Sequence, residues 1–168
     1  MSSRRIYAYV RILISVVDAP KPKPLHFKRD GKFKIMQIAD LHYSVSRGVC
    51  RDTDMSPPCK NGDVLTDSLL SRALDTEKPD LIVFTGDQLN GQGTSWDSKS
   101  VLAKFAATVI DRNISWAAIF GNHDDETDMG RREEMKILEA LPFSLSKVGP
   151  ADVHGVGNYV LKVKSPDA

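Results

Sequence analysis

What most constrains this chain is an alternation. Short apolar runs each break off into polar clusters, and stretches with helical spacing lie between them. Phe33–Ala39 (FKIMQIA) reads as a strand after the turn at Asp30-Gly31. Leu81–Thr85 (LIVFT) and Trp116–Phe120 (WAAIF) are continuous apolar runs, the pattern of strands buried on both faces. Between them, Val64–Glu77 is helical: Leu65, Leu69 and Ala73 recur every four residues, Leu70 and Leu74 lie beside them, and Pro79 closes the helix. In Ser98–Asp111, Val101/Phe105/Val109 and Leu102/Ala106/Ile110 form one stripe. Arg131–Ala140 is a charged helix with Met135 and Leu138 inward, ended by Pro142, and Gly157–Val163 (GNYVLKV) reads as a final strand. The order βαβαβαβ predicts an α/β layered fold with a largely parallel sheet. Such sheets bind ligands beyond the carboxyl ends of their strands.

The first three strands run into chemistry-bearing residues: Asp40-Leu41-His42, Gly86-Asp87-Gln88-Leu89-Asn90 and Gly121-Asn122-His123-Asp124. On adjacent strands these loops converge on one rim. Carboxylates, imidazoles and a primary amide there suit a hard or borderline metal ion. In Asp40-x-His42 the i and i+2 side chains leave a strand on the same side and reach one ion. Asp87, on the central strand, can bridge two cations, and Asn122 adds a neutral carbonyl oxygen. His123 is left to face a substrate, with Asp124 behind it to orient the ring. Gly86 and Gly121 mark sharp turns close to a ligand. Taken singly, these residues are also what turns and helix caps use; the ordered set is what points to a site.

In that order and context, D-x-H, G-D and G-N-H-D resemble the calcineurin-like dinuclear metallophosphoesterases. KIMQIADLHYS, EKPDLIVFTGDQLNG and WAAIFGNHDDE look most like a fungal branch allied to the small purple acid phosphatases. The resemblance runs from Leu25 to Val163. It implies that Asp40 and His42 bind one metal, Asp87 bridges two, Asn122 binds the other, and His123 serves the scissile phosphate and its leaving group. Purple members carry a tyrosine ligand three residues after the bridging Asp; Asn90 stands there, and His42 where they have Gly, so no tyrosinate–iron colour is expected. The implied activity is a metal-dependent phosphoric monoester hydrolase, possessing phosphoprotein or small phosphate-ester substrates, that uses metal-bound hydroxide. The implied cofactors are two ions of iron, manganese or zinc.

The family completes its site with a G-H pair and a G-H-x-H motif. Only His26 and His154 remain among the four histidines, and neither lies in such a motif. Four of the expected ligands are present, which predicts one weakly held ion. The resemblance is thus to the N-terminal half of the family domain, the first half of an αββα sandwich with one sheet face left uncovered and prone to self-association. The alternative to an enzyme is a truncated, catalytically incomplete fragment, acting at most as a weak metal-binding or interaction module.

Composition bounds the rest. A chain of 168 residues, 41% hydrophobic and 27% charged, suits one domain with a buried core. Its net charge of +1 divides unevenly. Residues 1–34 hold nine basic side chains against Asp18 and Asp30, a net of +7, and the remaining 134 hold a net of −6. A basic leader with a Pro/Lys linker (1–24) therefore precedes an acidic body (25–168) suited to cations. No nucleic acid partner is expected. No apolar run reaches membrane-spanning length. An intracellular location is expected, with the secretory pathway, through the signal-like run 6–17, as the alternative. Cys50 and Cys59 form either a disulfide or two free surface thiols. Asp52 and Asp54 beside them read as a solvated insert over the site rim, Gly91-Gln92-Gly93 as a flexible loop, and Arg131-Arg132 as a solvated helix face. Asp124-Asp125-Glu126 also read as N-terminal charge for the helix at Arg131.

Overall fold

The first three apolar runs become the strands of one parallel sheet in the structure, a computed structural model that describes residues 19–45, 48, 50, 54, 59–91 and 96–167. Residues 1–18 with the signal-like run, Asp52 and the pair Gln92-Gly93 lie outside the described residues. Strand β1 (Ile35–Ile38) is followed by helix α1 (Gly62–Glu77), β2 (Leu81–Phe84), α2 (Ser98–Ile110), β3 (Trp116–Ala118) and α3 (Arg131–Ala140). The sheet order is β1-β2-β3, all parallel, with Ile35 opposite Leu81 and Ile82 opposite Trp116. β2 is central, and its continuous LIVF run is buried along nearly its whole length.

Helix boundaries follow local chemistry. Lys78 caps α1 in the left-handed region (φ 47°), its N–H returning to the Leu74 carbonyl, and Pro79 prevents continuation. Asp97 caps α2 by accepting the Ser100 N–H at 3.3 Å. Gly130 is the N-cap of α3, with no side-chain cap, and Glu133 and Glu134 supply the acidic charge of its first turn.

The core lies between the sheet and the helices. Ile82, Phe84, Trp116 and Ala118 meet Leu70 and Leu74 of α1 and Val101, Leu102, Phe105, Ala106 and Val109 of α2. The rings of Phe84, Phe105 and Trp116 are mutually edge-to-face, with centroids 4.9–6.0 Å apart. Each such pair adds about 0.5–1.5 kcal/mol to what burial supplies. Polar ties accompany this packing. The Lys104 ammonium of α2 pairs with the buried Asp63 carboxylate of α1, and the Tyr43 hydroxyl donates to Asp67 at 2.6 Å. Cys50 and Cys59 are joined as a disulfide in the β1–α1 connection.

Two expectations are corrected. On α1 the buried side is Leu70 and Leu74, while Leu65 stands half exposed and Leu69 is 62% exposed. Two apolar stripes lie side by side on that helix, and contact with α2 and the sheet chooses the second. The final strand at Gly157–Val163 does not form a ladder. The free edge of β3 is taken instead by Phe143–Leu145, whose Phe143 carbonyl accepts the Trp116 N–H at 3.2 Å while the Leu145 N–H donates to the Trp116 carbonyl at 2.7 Å. The late segment is held by isolated bonds, such as the Tyr159 hydroxyl on the Ala118 carbonyl at 2.7 Å. The Pro/Lys stretch is tied to the body: the Lys23 N–H donates to Ser115 Oγ at 2.9 Å, and the Phe143 N–H to the Pro20 carbonyl at 2.9 Å.

Candidate metal centre

The parallel register brings the ends of β1 and β2 side by side, and pairing continues beyond both. The Asp40 N–H donates to the Gly86 carbonyl and the His42 N–H to the Asp87 carbonyl, each at 3.0 Å. These two short turns run through the left-handed region at Asp40 (φ 58°), His42 (φ 47°) and Asp87 (φ 53°). Side-chain-bearing residues adopt that region at a cost and concentrate there at functional sites. The outcome is a cluster in which one ligand atom from each of Asp40, His42 and Asp87 lies within 4.8 Å of the others. Two carboxylate oxygens and an imidazole nitrogen form a donor set that fits a hard or borderline divalent ion, with no thiolate to bias it toward softer metals.

The third loop joins from β3. Gly86 (φ 115°) and Gly121 pack backbone to backbone, since a Cβ on Gly86 would run into the Gly121 backbone and one on Gly121 into the Asp87 carboxylate. These glycines permit loop-to-loop contact beside the cluster. The His123 N–H donates to Asp87 Oδ1 at 2.8 Å, and the rings of His123 and His42 lie 5.5 Å apart. Asn122 is exposed between Gly121 and His123, both of which meet Asp87. Asp40, His42, Asp87 and His123 are therefore brought together, and Asn122 sits on their rim.

Asp124 has another role than the one expected. Its fully buried carboxylate accepts four backbone N–H groups: Asp87 (2.8 Å) and Gly121 (2.7 Å) on Oδ2, Gln88 (2.8 Å) and Leu89 (3.1 Å) on Oδ1. It fastens the β2 loop to the β3 loop and acts on the His123 ring through its charge. That ring meets Glu126, with Nδ1 and Oε2 2.9 Å apart. The Glu126 bond, reinforced by the charges of Asp87 and Asp124, holds the His123 pKa above its ordinary value.

Arg131 is a working part of the same loop. Its guanidinium clasps Asp125 (2.8 and 2.9 Å), donates to the Gly121 carbonyl at 2.8 Å and lies over the Phe120 ring. The Arg131 contact lowers the Asp125 pKa. Arg132 remains exposed. Neither remaining histidine joins the cluster: His26 Nδ1 meets the Ser165 carbonyl at 3.1 Å, and His154 is exposed. Glu126 and Arg131 thus have contacts beyond the helix charge and solvated face that the sequence suggests. The available signal was the three-residue spacing from His123 to Glu126, which one turn brings together as the Glu126 N–H returns to the His123 carbonyl.

Residues 33–163 match the calcineurin-like phosphoesterase family. The chain belongs to that family. Among relatives of this calcineurin-like phosphoesterase, the Saccharomyces cerevisiae protein named Phosphatase DCR2 is 44% identical over 140 residues, covering 81% of this chain and 24% of the yeast protein. The Arabidopsis thaliana protein named Probable inactive purple acid phosphatase 14 is 41% identical over 152 residues, covering 86% of this chain and 37% of that one. Probable inactive purple acid phosphatase 28 of the same plant is 37% identical over 152 residues, covering 83% and 38%. The chain thus spans about a quarter to two-fifths of the length of these curated relatives. Family membership implies divalent metal ions and phosphate-ester chemistry, and the Asp40–His42–Asp87 cluster is a place for such an ion. Among the described residues no helix is long and apolar enough to cross a membrane.

Proposed function

We propose that this chain contributes the D-x-H, G-D and G-N-H-D part of a metal-dependent phosphoric monoester hydrolase acting on a phosphoprotein or a small phosphate ester. The observation that carries this reading is the convergence of Asp40, His42 and Asp87 within 4.8 Å at the carboxyl ends of two parallel strands. Asp40, His42 and Asp87 would hold one ion, and Asp87 with Asn122 would be the residues left for a second. When bound, ions of this kind polarise a phosphoryl oxygen and make a water acidic enough to attack near neutral pH. The chain's own residues do the rest. Asp87, fixed through Oδ1 by the His123 N–H, cannot swing away from the cluster. His123, beside His42, gives a proton to the departing ester oxygen.

A second reading keeps the ion and omits turnover. It draws on the two Arabidopsis relatives named probable inactive purple acid phosphatases and on a cluster that neither His26 nor His154 extends. On this reading the chain is a weak metal-binding module, associating through the sheet face where Ile35 is 55% exposed and Ile119 is 40% exposed.

One experiment separates the two. Calorimetric titration with Mn or Zn is run beside p-nitrophenyl phosphate hydrolysis, for the wild-type chain and Asp87→Asn. Ion binding and hydrolysis that both fall at least tenfold in the variant support the enzyme. Ion binding without hydrolysis leaves the second reading, and no ion binding overturns both.

A further inference from the structure

We infer that Glu126 is the positioning residue for His123, selecting its proton-bearing nitrogen so that Nε2 remains for exchange with substrate. This rests on the reading of His123 as the group that serves the leaving oxygen. A neutral imidazole carries one N–H, and the hydrogen bond made by one nitrogen sets the state of the other. Here Nδ1 lies 2.9 Å from Glu126 Oε2, and a carboxylate only accepts, so Nδ1 carries the hydrogen.

The geometry around the pair is built rather than incidental. The Glu126 N–H closes a turn onto the His123 carbonyl at 3.2 Å, placing the two side chains on one side of the turn. Gly91 packs against this turn so closely that a Cβ there would run into the His123 carbonyl and the Glu126 Cβ. The His123 backbone is fixed from the other side by Asp87 Oδ1. The ring is therefore located by its backbone, and its remaining freedom, rotation and tautomer, is what Glu126 removes. Asp124, the neighbour in sequence, is committed to four N–H groups and is out of contention. The Glu126 side chain is 42% exposed, so little packing depends on it.

The test is imidazole ¹⁵N NMR of the full chain, without metal and with Zn, at a pH where the rings are neutral. His123 is assigned by the signals lost in His123→Gln. The expected result is an Nδ1–H tautomer in the wild type and in Glu126→Gln, whose amide oxygen still accepts. Glu126→Ala reverts to the Nε2–H tautomer that free imidazole side chains prefer, with the melting temperature unchanged. An Nε2–H ring in the wild type, or the same tautomer in wild type and Glu126→Ala, overturns the proposal. Should Glu126→Ala fail to fold, the wild type and Glu126→Gln still decide it. Where hydrolysis is measurable, Glu126→Ala lowers kcat about 10–100-fold with KM unmoved. Absence of hydrolysis in the wild type sinks the phosphatase reading alone, because the tautomer is read independently of turnover.

Discussion

The carboxylate of Asp124 reaches across to the loop after β2 and accepts the Asp87 N–H at 2.8 Å. The same oxygen takes the Gly121 N–H, and its partner oxygen takes Gln88 and Leu89. One side chain thereby sets the spacing between the two loops that build the rim. Asp124→Asn replaces one acceptor oxygen with a donor that faces two donors. At about 1–3 kcal/mol for each buried N–H left unpaired, the variant loses about 2–6 kcal/mol of stability. Urea unfolding of the variant against the wild type measures this, and an unchanged midpoint contradicts the clamp.

Contact between Gly86 and Gly121 leaves no space for a methyl group. Gly86→Ala must accept a left-handed backbone at φ 115° and an overlap with the Gly121 backbone at once. Overpacking alone costs about 1–3 kcal/mol, and the backbone strain adds to it. Thermal unfolding should show the loss, together with weaker Mn or Zn binding, because the displaced loop is the one that fixes Asp87. A variant as stable as wild type and binding the ion equally well contradicts this.

Glu134, in the first turn of α3, is fully buried, bonds Thr127 through one oxygen and has no donor for the other among the described residues. Burial raises its pKa from 4.5 to about 7; Asp124 and Asp125 push the same way, while Thr127 and Arg131 oppose. Between those values the folded chain keeps a proton that the unfolded chain has released. Stability therefore falls as pH rises through that window and levels off above about 7, an effect on the order of 3 kcal/mol. Glu134→Gln should flatten this slope and be the more stable protein at alkaline pH. Denaturation midpoints compared at acidic and alkaline pH check both statements.

The Cys50–Cys59 bridge closes a short loop with a sequence separation of 9. By the chain-entropy account, a loop of that size stabilises the fold by about 2–3 kcal/mol. The double variant Cys50→Ser/Cys59→Ser should unfold at correspondingly lower denaturant. Reduction of the wild type should reproduce its midpoint, and a reduced wild type that melts like the oxidised form contradicts the estimate.

β2 and β3 were legible because their burial is written as unbroken apolar runs, and the candidate ligands because each lies just past a strand. What periodicity could not rank was the two stripes of α1: Leu65/Leu69 and Leu70/Leu74 are equally apolar, and only contact with α2 separates them. The strand at Gly157–Val163 failed for a related reason. Its sequence suits extended backbone, but Phe143–Leu145 already occupies the edge of β3. Asp124 was misread because adjacency in sequence says little about which way a side chain leaves a tight turn. The residue one turn later, Glu126, is the one that reaches the ring. Asp63–Lys104 and Tyr43–Asp67 join different elements, so no local pattern announces them.

Asp40, His42 and Asp87 share a backbone conformation that glycine enters freely and other residues enter at about 1–2 kcal/mol each. A designer asked only for the most durable version of this fold would put glycine at all three positions, and would gain stability by erasing the centre. The residues proposed to hold the ion are thus in a backbone conformation that costs stability. Any programme of stabilisation that ranks positions by backbone strain will propose these three beside Lys78, Asn113 and Phe143, and has to hold the three fixed.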